Sequence, residues 1–217
     1  MKKSYYTLTT NILPGWPLPR GGHRIEQGEI ASTLGSRLAD AGAWKDPPHV
    51  ALANLGYDPA KRGGFASEKA IVSFLKQYGP LGARPEEVGE PGEPFWLRLA
   101  SFHEMQERLR EAWKKRDHRF FVDPSRLKGG TGYEHLLRVN WEMKGGMLVM
   151  RLATWYDYVA ILLTRDIVER RARICGNPNC VTPYFVAERR DAKYCSHPCA
   201  VAVSVRRFRE RKRRKKK

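Results

Sequence analysis

Long apolar runs are missing from this sequence. The longest strongly apolar stretch covers residues 158–163, far short of the roughly 20 residues that a membrane-spanning helix needs. The first ten residues, MKKSYYTLTT, contain two lysines but no continuous apolar segment, so no secretory signal is expected. We therefore expect a soluble protein of the cytoplasm that has no membrane partner.

Acidic residues are also scarce, above all toward the end of the chain. The sequence has 40 Lys and Arg against 23 Asp and Glu, a formal charge of +17. Residues 164–217 hold 17 basic and 5 acidic residues, and residues 206–217 alone hold ten Lys or Arg and one Glu. Such a density of positive charge favours a polyanionic partner, although a solvated tail is the alternative.

Cysteine is absent from most of the chain, because all four lie between positions 175 and 199. They form two close pairs, Cys175-Gly-Asn-Pro-Asn-Cys180 and Cys195-Ser-His-Pro-Cys199, with fourteen residues between them. Each pair can supply two thiolates from one turn, as a tetrahedral zinc site requires. We expect one structural Zn²⁺ here, against the alternatives of two disulfides, which need an oxidising compartment, or four unrelated thiols.

Short elements are predicted around these cysteines. Residues 181–186 favour a strand, residues 188–191 a turn, and residues 192–194 a return strand. Ser196 is a plausible N-cap, and Pro198 suits the first turn of a following helix. His197 could replace a cysteine as a ligand, but four thiolates already complete the coordination shell.

The helix predicted after Cys199 is both apolar and basic. Val201, Val205 and Phe208 recur at i, i+4 and i+7, an apolar stripe expected to pack on the hairpin. Basic side chains project from the helix and the preceding turn and can contact phosphate or bases, with a merely solvated helix face as the alternative. The predicted nucleic-acid contacts are Arg189, Arg190, Lys193, Arg206, Arg207, Arg209, Arg211 and Lys212.

Helical and strand patterns alternate in the upstream part. A helix capped by Ser67 should end at Tyr78-Gly-Pro, and a second should run from Pro94 to about Arg116. Alternating apolar residues across 137–152, with a Lys-Gly-Gly turn, predict a β-hairpin. The residues from 154 to 171 favour a helix, and another is expected near 26–41, whereas residues 80–94 favour a loop.

These patterns together predict an α+β protein. A mainly helical N-terminal domain with a β-hairpin would precede a small four-cysteine module, like a treble clef or zinc ribbon, that ends in a basic helix. The predicted division is an unassigned region at 1–64, a helical domain at 65–171, the zinc module at 172–210 and a basic tail at 211–217.

Two enzyme motifs are incomplete. His103-Glu104 resembles the start of a zincin helix but lacks the second histidine four residues on, and Lys128-Gly-Gly-Thr-Gly lacks the order of a phosphate-binding P-loop. A zinc ion closed by four thiolates leaves no position for a catalytic water. We therefore expect a protein that is not an enzyme.

Residues 173–211 resemble the CGNR-type zinc finger of bacterial proteins. That family has a Cys-x4-Cys pair, an aromatic strand, an Arg-bearing turn, a Cys-x3-Cys pair and a basic helix, and the four cysteines match its metal ligands. This chain has Cys199-Ala-Val-Ala where the family has Cys-Gly-Asn-Arg, and Ser204 where a Lys is common. The departure affects polar residues that could contact nucleic acid, and it leaves the metal ligands intact.

The upstream part resembles the ABATE-like domain that commonly precedes such a finger, chiefly through Phe74-Leu-Lys-Gln-Tyr-Gly-Pro-Leu-Gly. The resemblance implies a stress-linked transcription regulator whose N-terminal domain senses a ligand or contacts a protein. We therefore expect a DNA-binding regulator, with an RNA-binding or ribonucleoprotein subunit that grips the backbone non-specifically as the alternative.

Overall fold

The structure is a computed structural model. It describes residues 17–18, 23–27, 29–33, 37–38, 46–79, 81–82, 94–121, 123, 139–144, 147–152 and 154–215. In this part of the chain, no helix combines the length and the apolar character that crossing a membrane requires.

Five α-helices account for most of the regular secondary structure in the described residues. Local sequence sets their ends: the Ser67 side chain accepts a hydrogen bond from the Ala70 amide, and Thr154 and Asp157 form a reciprocal capping box. The helices are α1 (Pro48–Asn54), α2 (Glu68–Tyr78), α3 (Leu99–Lys115), α4 (Trp155–Val168) and α5 (His197–Arg214), with a 3₁₀ turn at His118–Phe121.

The strands form small antiparallel sheets. One sheet has three strands in the order β2-β3-β5, and the pairs β1-β4, β6-β7 and β8-β9 are two-stranded. The strands are β1 (Pro17–Leu18), β2 (His23–Glu26), β3 (Glu29–Thr33), β4 (Arg37–Leu38), β5 (Pro94–Arg98), β6 (Val139–Lys144), β7 (Met147–Leu152), β8 (Ala172–Ile174) and β9 (Tyr184–Val186). Helices with small sheets make this an α+β fold, as the sequence predicted.

Two upstream predictions are confirmed. Helix α2 ends at Tyr78 and is capped by Gly79, whose φ of 86° lies in the left-handed region that glycine adopts without a Cβ clash. Strands β6 and β7 pair in register up to Lys144 opposite Met147, so the predicted hairpin is present. Its Gly145-Gly146 turn lies outside the described residues, as do the glycine-rich segment at 128–132 and most of the predicted loop at 80–94.

Two other upstream predictions are wrong. Pro94 begins strand β5 and not a helix, because residues 94–98 pair with β3, and the helix begins only at Leu99. The helix expected near 26–41 is replaced by strands, with β3 paired on both sides. In both segments, hydrogen bonds to a distant strand satisfy the backbone, and these long-range pairings override the helical pattern.

The core lies among helices α1 to α4 and includes part of the cysteine region. Phe102, Leu109 and Trp113 of α3 are fully buried, and Ala172 of β8 and Tyr184 of β9 belong to the same buried cluster. The Trp113 indole Nε1 donates to the Arg173 carbonyl over 2.9 Å. Strand β8 is therefore held to α3 by packing and by a hydrogen bond.

Two side chains of α3 donate hydrogen bonds to the backbone carbonyls at the end of α1. Buried Gln106 donates to the Leu52 and Leu55 carbonyls, over 2.9 and 2.8 Å. Buried Arg110 donates to the Ala53 and Leu55 carbonyls, over 2.8 and 2.7 Å. A helix end in the interior needs such partners because its last carbonyls have none within the helix, so α3 fixes where α1 ends.

Candidate metal centre

The first cysteine pair lies at the end of the small sheet formed by β8 and β9. Cys175 follows β8 directly, and its amide donates to the Pro183 carbonyl over 2.8 Å. The Cys180 amide donates to the Asn177 carbonyl over 3.0 Å, closing the turn between the two cysteines. The predicted turn at Gly-Asn-Pro-Asn is therefore present, and it directs both thiols to one side.

The predicted partner of β9 is wrong. The strand covers Tyr184–Val186, a shorter range than expected, and it pairs with β8 upstream of the first cysteine. Residues 192–194 form no strand. The reason is that β8 reaches β9 through the turn around the first cysteine pair, so its amides and carbonyls are already beside β9.

A backbone hydrogen bond joins the residues before the second cysteine pair to the turn of the first pair. The Gly176 amide donates to the Lys193 carbonyl over 2.8 Å. A Cβ at position 176 would lie 3.2 Å from Cε1 of Tyr194 and 3.3 Å from the Lys193 oxygen. Glycine therefore permits the close approach that brings the second pair beside the first.

The second pair lies at the start of α5, as predicted. Ser196 is the N-cap residue, Pro198 lies in the first turn, and the Ala200 amide donates to the Ser196 carbonyl. The Ser196 side chain makes no capping bond to the helix; its Oγ accepts from the Cys195 thiol over 3.8 Å. Cys199 lies in the first turn of α5, so the helix carries one potential ligand itself.

The four sulfur atoms form a compact cluster in which all lie within 4.8 Å of one another. The Sγ of Cys180 is 3.6 Å from that of Cys195 and 3.7 Å from that of Cys199, and Cys195 and Cys199 are 3.7 Å apart. None of the four is in a disulfide. Four thiolates at about 2.3 Å from a tetrahedral ion would be roughly 3.8 Å apart, so the cluster has the size of a metal site.

Polar surroundings differ among the thiols. The Asn177 side-chain amide donates to the Cys199 sulfur over 3.4 Å, and this hydrogen bond lowers the pKa of that thiol to about 7. Burial raises the pKa of Cys180 and of Cys195. Sequence reasoning assigned Asn177 only to the turn, and its position between two candidate ligands was the one signal of a role at the sulfur.

His197 takes no part in the cluster. Among the described residues, the group that could hold a metal ion consists of the four cysteines alone, and His197 is exposed at the start of α5. The alternative in which it replaces a cysteine therefore has no support in the geometry.

The eight basic residues predicted to contact nucleic acid are all exposed. Arg189 lies 3.8 Å from Asp191, and Arg206 lies 3.7 Å from Glu210 one turn later on α5. The remaining six are Arg190, Lys193, Arg207, Arg209, Arg211 and Lys212, and none of them has an ion pair with a described residue. The surface at the end of the chain therefore carries free positive charge.

The apolar stripe of α5 does not pack on the small sheet as predicted. Val201, Val205 and Phe208 are 44%, 41% and 60% exposed, whereas Val203 is only 2% exposed. At about 100° per residue, Val203 lies roughly 160° around the helix from Val201. Val203 follows Cys199 by one turn and lies on the same side of α5, so the side that meets the sulfur cluster is the buried one and the stripe points away from the module.

No protein-family model, curated protein or solved structure matches this chain. Its function is therefore inferred from the sulfur cluster and from the charged helix that follows it.

Proposed function

We propose that Cys175, Cys180, Cys195 and Cys199 bind one structural Zn²⁺. The sulfur separations fit the edges of a tetrahedron around zinc, and four thiolates are a typical structural set. A closed shell leaves no position for water or substrate, so the role proposed for the ion is to hold the second cysteine pair and α5 onto β8 and β9.

We further propose that the zinc module binds nucleic acid, with duplex DNA as the favoured partner. The observation that carries this proposal is that α5 holds one of the four clustered cysteines in its first turn and exposes a series of cations from Arg206 onward. Arginine and lysine on an anchored helix can neutralise phosphates and release counterions, and a helix fits the major groove of B-DNA. A DNA-binding regulator whose N-terminal domain contacts a ligand or protein partner is the function that this arrangement supports best.

Zinc binding is tested by the metal content of the purified protein. We expect one zinc per chain, lost on the combined substitution Cys195→Ser and Cys199→Ser. Replacing the exposed Ser204 of α5 by Ala is the matched control and should leave the content unchanged. Preparations that fold with far less than one metal per chain would refute the structural role.

Nucleic-acid binding is tested by fluorescence anisotropy with duplex DNA and with RNA of the same sequence. We expect binding that weakens with salt, and Arg209→Ala and Arg211→Ala should each reduce the salt slope by about one. Lys69→Ala removes the same charge from an exposed position on α2 and should have little effect. Tighter binding to RNA than to DNA would favour the ribonucleoprotein alternative, and no binding to either would end the proposal.

A further inference from the structure

The outward face of α5 has an apolar centre and a cationic border. Around the helix, Val205 and Phe208 lie on opposite sides of Val201, about 40° and 20° from it, calculated at about 100° per residue. Arg209 and Arg211 lie about 80° to either side of Val201, and Lys212 continues the stripe. We call the face formed by these six residues the outward face.

The acidic residue of α5 lies on the opposite side of the helix. Glu210 is about 180° from Val201 around the helix, and its carboxylate is 3.7 Å from the Arg206 guanidinium. That pair lies near the direction of Val203, the buried residue by which the helix is held. All charged residues of the outward face are therefore cations. Its partner must offer negative charge on both sides of an apolar strip.

We propose that this face binds the major groove of duplex DNA with its apolar stripe against thymine methyl groups. This inference rests on the proposed DNA binding and names the bases that are contacted. The groove is about 12 Å wide and takes one helix, and the C5 methyl of thymine projects into it. Phosphates line both walls, where Arg209 and Arg211 reach them, while Val205 and Phe208 face the floor.

Other occupants fit this face less well. A second copy of the chain would bring two cationic borders together, and like charges repel. The apolar stripe ends at Phe208, after which residues 209–214 are all charged, so the helix offers little to insert into lipid. Duplex RNA has a major groove too deep and narrow for side chains to reach its bases, and uracil lacks the methyl group.

The test uses the zinc-loaded chain of residues 1–217 and two alternating duplexes, one of dA and dT and one of dA and deoxyuridine. The phosphate charge is the same in both, and only the C5 methyl differs. We expect binding to the dT duplex to be at least about fourfold tighter, the ratio that corresponds to ~0.8 kcal/mol for one contacted methyl. A duplex of dG and 5-methyldeoxycytidine should likewise bind more tightly than its unmethylated form.

Substitutions distinguish the contribution of the apolar centre of the face from that of its cationic border. Val205→Ser and Phe208→Ser should bring the dT to deoxyuridine ratio close to one. Arg209→Gln should weaken binding to both duplexes and leave the ratio intact. Val168→Ser changes another exposed valine outside the module and serves as the matched control, and one zinc per chain shows that each variant retains its module.

The outcomes distinguish this inference from the proposed function. Binding to both duplexes with a ratio of one overturns the methyl contact and leaves DNA binding standing. If neither duplex is bound, both the methyl contact and the proposed DNA binding are overturned. If Val205→Ser weakens binding to phosphatidylglycerol vesicles while the ratio is one, the outward face is a membrane surface and the inference is wrong.

Discussion

At the residue scale, a single amide controls the environment of one sulfur. Asn177 donates to the Cys199 Sγ and lowers the pKa of its thiol. We expect Asn177→Ala to weaken zinc affinity roughly tenfold or more, because hydrogen bonds to a ligand atom typically contribute that much. Competition with a chromogenic chelator measures the affinity, and Asn179→Ala in the same turn is the control. Equal affinities for the two variants would show that the amide serves only the turn.

A second residue-scale feature is the buried pair of His49 and Asp166. His49 Nε2 lies 2.9 Å from the Asp166 Oδ2, both side chains are fully buried, and the imidazole stacks on Trp113. Burial lowers the pKa of His49 below its usual 6.5, against the opposing effect of Asp166. The unfolded chain therefore binds a proton below pH 6.5 that the folded chain resists.

Stability should consequently fall as the pH decreases below about 6.5, by at most about 1.4 kcal/mol per pH unit from this group. His49→Gln keeps a donor for Asp166 but does not titrate. Urea unfolding measures the free energy of unfolding at pH 7.5 and 5.5. The decrease between these two pH values should be smaller for this variant than for the wild type. Identical differences would mean that His49 does not contribute to the pH dependence.

At the scale of elements, one side chain joins α1 to the cysteine region. The Asn54 Nδ2 donates to the Tyr184 carbonyl over 2.8 Å, and the Tyr184 amide donates to the Asn54 Oδ1 over 3.0 Å. The last residue of a helix thus pairs with β9 as a neighbouring strand would. Sequence periodicity contains no sign of this contact, because the two residues are 130 positions apart.

We expect Asn54→Ala to reduce the free energy of unfolding by about 2–3 kcal/mol, because it leaves the amide and carbonyl of buried Tyr184 without partners. Denaturant unfolding gives this value, and hydrogen exchange at the Tyr184 amide should accelerate. Asn54→Asp retains the acceptor but not the donor and should lie between the two. A loss below about 0.5 kcal/mol would show that other groups hold β9 in place.

Elements differed in how far their sequence predicted them. Helix α2 was predictable at both ends because its signals, Ser67 and Gly79, act within one turn. The start of α3 was not, because Pro94 fits either a helix start or an edge strand, and only the pairing of β5 with β3 decides between them.

At the scale of the whole molecule, the cysteine cluster and the core are one connected structure. Tyr184 and Ala172 lie in the shared buried cluster, and Trp113 donates to the carbonyl one residue before β8 ends. Removing zinc should therefore destabilise the helices as well as the residues around the cysteines. The predicted boundary between the helical domain at 65–171 and the zinc module at 172–210 stays a prediction. The effect of zinc removal on the helices tests it.

We expect a strong chelator to reduce the free energy of unfolding by at least about 3 kcal/mol, or roughly 10 °C in Tm for a chain of this size. Calorimetry with and without chelator measures the shift, and added zinc should restore the original Tm. A Cys175→Ser variant should melt low in both conditions. An unchanged Tm with loss of structure confined to α5 would mean that the helical part folds independently.

The sequence by itself determined which cysteines can lie together as candidate ligands, the helix caps and the location of the charge. These follow from local spacing: two cysteine pairs close enough for one turn each, and ten cations within the last twelve residues. Only the tertiary structure decided that β8 and not residues 192–194 pairs with β9, that His49 meets Asp166, and that the α5 stripe faces outward. These outcomes depend on contacts between different segments of the chain. Periodicity along one segment carries no information about which other segment it will contact.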